Sequence, residues 1–246
     1  MNDQRDVIIL SLRDYREKDA LMNVLSKDGK QSMIARGLNK PNSKNVGALQ
    51  PFTYARIIYN GSETRTLHTI QSATCLQSHR HIREDLLRSA LAAIMCELVE
   101  IHDILDDDNS FEILKTCLDA MDCDNSPYGV FCLFLALQLR HQGIYPEVES
   151  CVRCQISTQI QAISIRDGGF ICANCYQPSH DLLRSKEQLK KFRLINHAEL
   201  SHLDIICSCA KWDYEDASSL LNLFHEYGGI RLKSMKFLEN IVNLPQ

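Results

Sequence analysis

An α+β fold in two parts is predicted by three observations: five short strand-like runs in the first eighty residues, helical periodicity from residue 80 onward, and a four-cysteine motif among the helices. The early runs alternate apolar and polar residues or form brief apolar stretches bounded by turn residues. The later segments repeat apolar positions every three to four residues. Residues 1–79 are read as one domain. Residues 80–246 are read as a second, helical domain that carries the cysteine segment, 150–177, as an insertion.

The strand candidates follow in order. Val7–Leu10 and Leu21–Leu25 are apolar, and Ser26-Lys27-Asp28-Gly29 closes the second run. Lys30–Arg36 is the third. Phe52–Tyr59 alternates and ends at Asn60-Gly61, a hairpin signal, and Thr66–Thr74 returns from it. Five strands joined this way fit a small closed barrel of the OB kind, because an open sheet would leave bare edges. Between the third and fourth strands runs Gly37–Gly47, with Lys40, Pro41 and Lys44 and no acid. It reads either as a mobile basic loop that meets phosphates or as a solubilising surface loop. Tyr15 and Tyr54 are stacking candidates on the barrel or members of its core.

From residue 80 the period changes. Ile82 to about Val99 keeps one apolar face. The acidic stretch Asp106–Ser110 breaks the pattern and supplies cap residues for Phe111–Met121. Ser126-Pro127 opens a helix that is apolar nearly all round through Leu139, the mark of a buried central helix. Ser185–Ile195, Tyr214–Tyr227 and Leu232–Val242 are helical by spacing, and Gly228-Gly229 stops the second of these.

Cys151-Val152-Arg153-Cys154, seventeen residues, then Cys172-Ala173-Asn174-Cys175 is the most specific signal in the chain. Two such knuckles supply four thiolates for one tetrahedral zinc ion. The intervening Gln161–Arg166, the turn Asp167-Gly168-Gly169 and Phe170-Ile171 make a hairpin that brings the knuckles together. With every ligand a protein sulfur, no position is open to water or substrate, so the site is structural.

The formal charge of −4 hides a division. Residues 1–80 carry 12 Lys+Arg against 7 Asp+Glu, residues 81–150 carry 4 against 14, and residues 151–246 carry 11 against 10. A basic first third in an acidic chain is either a localised anion-binding surface or ordinary scatter. No apolar run reaches the ~20 residues of a membrane span, and the polar start has no signal-peptide core. The remaining cysteines, Cys96, Cys117 and Cys132 among them, sit mostly in apolar helical contexts. Cytoplasmic residence and no membrane partner are therefore expected. No metalloprotease, P-loop or nucleophile-elbow string occurs, so no enzyme is expected. His79 and His81 read as surface residues, Cys207-Ser208-Cys209 as core, and Asp106–Asp108 as an exposed acidic loop.

Several strings together resemble a known family. Arg13-Asp14-Tyr15-Arg16-Glu17-Lys18-Asp19, Gly29-Lys30, Ala35-Arg36-Gly37 with Lys40-Pro41 and Lys44, and Gly47-Ala48-Leu49-Gln50-Pro51-Phe52 are similar to the N-terminal domain of bacterial RecO recombination mediators. Arg231-Leu232-Lys233-Ser234-Met235-Lys236 resembles that family's closing helix, and the cysteine pairs match its zinc-bearing members. The resemblance implies an N-terminal OB barrel and a helical domain holding one structural Zn2+. It implies binding to single- and double-stranded DNA, annealing of complementary strands, and location at the nucleoid. It further implies a mediator role with RecR and single-stranded-DNA-binding protein, whose acidic tail docks in the helical domain, in loading RecA. The matching basic positions are Arg13, Lys30, Arg36, Lys40 and Lys44. Members often carry Arg or Lys on the helix before the closing stretch, whereas Ala217–Glu226 here has none. Two rivals stand beside this reading: a pure protein adaptor, and a zinc nuclease, which a closed four-thiolate site disfavours.

Overall fold

The computed structural model describes residues 2–60, 67–101, 108–123 and 125–243. Five strands, β1 (Asn2–Tyr15), β2 (Asp19–Ser26), β3 (Gly29–Ala35), β4 (Tyr54–Asn60) and β5 (His68–Gln77), close into a barrel in the order β1-β2-β3-β5-β4. Only β3 and β5 run parallel; the other pairs are antiparallel. Strand alternation sends Val7, Ile9, Met22, Val24, Met33, Ala35, Ile57 and Ile70 into one core. A bulge between Ile9 and Ser11 resets that alternation, so Ser11 faces outward beside Asn23 while Leu12 turns back toward the core. Gly61, half of the expected hairpin turn, and Thr66 lie outside the described residues, as do Asp106 and Asp107.

The segment between β3 and β4, read from sequence as a mobile basic loop or a solubilising surface loop, is a run of turns with apolar anchors. Leu38 and Leu49 are buried in the barrel core and pin its two ends. Between them a chain of turns closes through Lys40 N to Gly37 O (3.2 Å), Ser43 N to Lys40 O (3.1 Å) and Leu49 N to Asn45 O (3.0 Å). Two apolar plugs in a loop so polar in composition are easily overlooked, and they convert it into a lid on the barrel end.

Packing groups the chain into two compact units. One comprises residues 1–124 and 232–246, the other 125–231. In the first, the barrel is joined by α1 (Arg80–Glu84), α2 (Leu86–Ile101), α3 (Asp108–Asp122) and α8 (Met235–Val242). Ile8 and Leu10 explain the extension: all of Val7–Leu10 is buried, although strand alternation spends only Val7 and Ile9 on the barrel interior. The outer residues lie where α2 packs on β1. Asp85 interrupts the long helix expected from Ile82; its backbone is extended and its carboxylate accepts from Arg88 N at 2.8 Å. Glu97 of α2 accepts from the backbone N–H groups of Lys233 and Ser234, each at 2.8 Å, so α8 begins after the Leu232–Ser234 stretch.

His79, expected at the surface, is 1 % exposed. Its ring links Phe52 O (2.6 Å) to Asp119 Oδ1 (2.7 Å), stapling the barrel lid to α3, while His81 is exposed as expected. Burial works to raise the Asp119 carboxyl, but hydrogen bonds from His79 and Lys115 outweigh it and hold the group below its ordinary value. A depressed carboxylate stabilises the fold above the unfolded-state pKa, about 3.9, and that contribution is lost as pH falls through the lower folded value. Asp119→Asn is therefore expected to lower the urea midpoint at pH 7, with the gap from wild type closing as pH drops below about 4. A gap that stays constant with pH would refute this.

In the second unit α4 (Pro127–His141) is the central helix, with Phe131, Phe134 and Leu135 fully buried. Ser126 caps it through Gly129 N (3.3 Å), and α5 (Lys186–His197), α6 (Leu203–Cys209) and α7 (Tyr214–Gly228) pack around it. The seven residues of short α6 carry barely two turns of periodicity, too little to mark a helix in the sequence. Ser185 and Asp213 form capping boxes at the starts of α5 and α7, and Gly229 ends α7 in the left-handed conformation. Gln138, 2 % exposed on α4, leaves its side-chain Nε2 without a partner among the described residues. Gln138→Met removes that orphan donor and is expected to stabilise the unit by about 1 kcal/mol, read as a higher urea midpoint. A lower midpoint would show that the amide is needed.

Candidate metal centre and nucleic-acid interface

The cysteine pairs lie on a small sheet of β6 (Ile160–Ser164), β7 (Gly169–Cys172) and β8 (Leu182–Leu183), in the order β7-β6-β8. Cys151 and Cys154 occupy a tight turn in which Gln155 N reaches Cys151 O at 2.8 Å, with Gln155 at φ 62. Cys172 ends β7, and Cys175 N closes the second knuckle on Cys172 O at 3.1 Å. The four Sγ atoms lie within 4.8 Å of one another, and those of Cys154 and Cys172 are 3.6 Å apart. A tetrahedron with metal–sulfur bonds of about 2.3 Å has edges of roughly 3.8 Å, so this arrangement can hold a metal ion with little adjustment. Burial works to raise the Cys151 thiol, yet backbone N–H groups of Cys172, Arg153 and Cys154 bring it down to about 6. Hydrogen bonding with Cys154, together with burial, pushes Cys175 up to about 12. Four thiols so close cannot all ionise unless a cation sits among them.

Arg153, inside the first knuckle, locks the ribbon. Its guanidinium donates to Asp181 (2.8 Å), Asp167 (2.6 Å) and Cys175 O (2.6 Å), joining both knuckles to the hairpin turn. Gly169 is required here because a Cβ would run into the backbone of Glu147, which bridges to the hairpin through Phe170 N (2.9 Å). Cys207 and Cys209 do not join the cluster. Nor are they core: Cys207 is half-buried, with burial pushing its thiol up to about 11, and Cys209 is exposed. Cys96, Cys117 and Cys132 are buried as expected.

The basic positions of the barrel separate into two groups. Arg13 on β1 lies opposite Leu21 of β2, which lies opposite Ile34 of β3, two residues before Arg36. Lys40 folds its side chain over Gly37, so Arg13, Arg36 and Lys40 gather at one end of the barrel. Lys44 follows on the same lid segment, whose Asn45 Oδ1 accepts from Ala73 N of β5 at 3.2 Å. All four cations are exposed. Two neighbouring acids are engaged by the lid: Asp19 accepts from Gly37 N (2.8 Å) and Asp14 from the Asn39 side-chain amide Nδ2 (2.9 Å). Exposed Lys18, in the turn between β1 and β2, joins this end through its carbonyl, which accepts from Asn39 N. Lys30 does not belong to the group. It begins β3, roughly 20 Å along the strand from Arg36, and its Nζ donates to Glu100 O at 2.9 Å. Tyr54 packs edge-on to Phe111 beneath Lys115, while Tyr15 is half-buried with Arg16 over its ring.

The described residues include no helix long and apolar enough to cross a membrane. Comparison with known proteins then bears on the whole chain. The family model described as Recombination protein O N terminal matches residues 1–79, and that described as Recombination protein O C terminal matches residues 83–236. The protein called DNA repair protein RecO from Bacillus subtilis (strain 168) is 30% identical over 242 residues, covering 96% of this chain and 94% of that protein. Its namesake from Oceanobacillus iheyensis is 30% identical over 247 residues, covering 98% of this chain and 94% of its own. A barrel of OB topology, a helical unit with a four-cysteine ribbon and these full-length matches agree: the chain belongs to the RecO family, whose role lies in DNA repair and recombination.

Proposed function

We propose that this protein is a non-enzymatic recombination mediator that binds single- and double-stranded DNA, anneals complementary strands, and acts with RecR to load RecA onto DNA coated by single-stranded-DNA-binding protein. The observation that carries the DNA-binding step is the group Arg13, Arg36, Lys40 and Lys44, exposed on one lidded barrel end where Asp19 is held by the Gly37 backbone amide and Asp14 by the Asn39 side chain. Ammonium and guanidinium groups arranged this way meet backbone phosphates and carry no base information, which suits a protein that must act on any sequence. Annealing then needs no catalytic group. Neutralised phosphates let two strands approach, and base pairing supplies the driving force. The partner steps rest on family membership. The four cysteines hold one Zn2+, since a set of four thiolates at tetrahedral spacing selects zinc among common cytoplasmic ions and leaves no ligand position for chemistry.

The test is strand annealing without nucleotide, on bare complementary strands and on strands coated with the cognate single-stranded-DNA-binding protein. Acceleration on both substrates without ATP is the expected result. An absolute ATP requirement, or no acceleration on either substrate, would refute the reading.

A further inference from the structure

The outer face of the barrel carries a row of polar side chains across three strands: Ser11 on β1, Asn23 on β2 and Ser32 on β3, held in register by the ladders. Ser32 Oγ donates to Asn23 Oδ1 at 2.7 Å, which leaves the Asn23 amide nitrogen pointing onward as a donor. That donor, the Ser11 hydroxyl and the Lys30 ammonium all converge on the last turn of α2. Glu100 Oε1 accepts from Ser11 Oγ and from Asn23 Nδ2 (3.0 Å), and Glu100 O accepts from Lys30 Nζ (2.9 Å). A cavity of about 230 Å³ adjoins the contact, lined by Leu10, Asn23, Lys30, Gln31, Ser32 and Glu100.

The Glu100 carboxylate on two neutral donors and the adjoining backbone carbonyl on an ammonium, at the negative end of the helix, together present the acceptors that a phosphodiester would offer the same donors. The β2–β3 surface is also where OB barrels engage oligonucleotides. We propose that this face is a phosphate subsite for single-stranded nucleic acid and that Glu100 guards it, occupying its donors until a strand competes for them. The inference rests on the DNA-binding reading above and extends it from the lidded end, along β3, to Lys30. The β1 bulge is the local cause: it turns Ser11 outward to meet the carboxylate. The subsite adds selectivity, because only a strand that can displace the last turn of α2 gains the second set of contacts.

Glu100→Gln keeps an acceptor oxygen for Ser11 and Asn23 while removing the charge. Anisotropy titrations with a labelled oligothymidine should show it binding roughly threefold to tenfold tighter than wild type. Its salt slope should steepen by about 0.7, one more phosphate engaged. Adding Lys30→Gln to that variant should erase both gains. Wild-type affinity and slope for Glu100→Gln, alongside weakened binding by Lys40→Gln/Lys44→Gln, would overturn the guard and leave the barrel-end surface standing. No binding by wild type would instead overturn the reading beneath it. Should Glu100→Gln fail to fold, amide exchange in wild type decides: saturating oligothymidine must speed exchange in the last turn of α2, and slowed or unchanged exchange there refutes the proposal.

Discussion

Removing the metal from the four-cysteine site is expected to loosen the unit spanning 125–231 while the barrel keeps its fold. The buried cluster beneath the site consists of Cys151, Ala162, Ile171 and Cys172, so half of it is ligand. A β6–β7 hairpin with so small a core, joined only by the two-residue β8, is marginal in water without further support. Metal binding in small zinc peptides is worth ~10–16 kcal/mol, against ~5–15 kcal/mol for a domain's entire stability. The Arg153 fork does not replace the ion, because its geometry depends on both knuckles being closed. Trp212, the chain's one tryptophan, is a convenient reporter: it lies in the helical unit, 5 % exposed, with Nε1 donating to Ile206 O at 2.7 Å. Chelation, or Cys154→Ser, should red-shift its emission and lower the melting temperature of that unit by ten degrees or more, on the order expected for several kcal/mol in a domain of this size. Amide exchange in β1–β5 should stay unchanged. An unaltered melt and emission after stoichiometric metal removal would show that the ribbon stands without it.

How much of this was legible beforehand differs between residues for physical reasons. The strands were readable because each barrel position has one inner and one outer face, which writes period two into the sequence; Tyr54–Asn60 shows it well. The buried helix α4 announced itself by having no polar face at all, and Ser126-Pro127 marked its start. The metal centre was the clearest feature, since ligand spacing is a local property. What sequence could not give was long-range placement. His79 is an ordinary turn residue until Phe52 O and Asp119, 27 and 40 positions away, close on it. The apolar run Val7–Leu10 is visible in sequence, but that α2 covers its outer residues Ile8 and Leu10 is not. The five basic positions looked equivalent in sequence, and only the strand register separates Lys30 from the rest.

That separation sharpens the expectation for charge neutralisation at the barrel end. With Lys30 engaged by Glu100 O, the surface expected to meet phosphates consists of Arg13, Arg36, Lys40 and Lys44, four of the exposed cations at the barrel end. On a single strand each phosphate neutralised contributes about −0.7 to the slope of log K against log salt, so wild type should show roughly −3. Lys40→Gln/Lys44→Gln should reduce that to roughly −1.4 and weaken binding to every sequence alike, because backbone contacts carry no base preference. Both lysines project from turns anchored by Leu38 and Leu49, so their loss should leave the thermal melt within about a degree of wild type, as surface substitutions usually do. The two measurements together discriminate. A weakened affinity with an unchanged slope would mean that the lysines support the lid and do not touch phosphate. A loss confined to one sequence would mean base readout. Only a uniform loss accompanied by the shallower slope fits an electrostatic surface, and annealing rates should then fall in parallel, since shielding phosphate repulsion is the only work the surface is asked to perform.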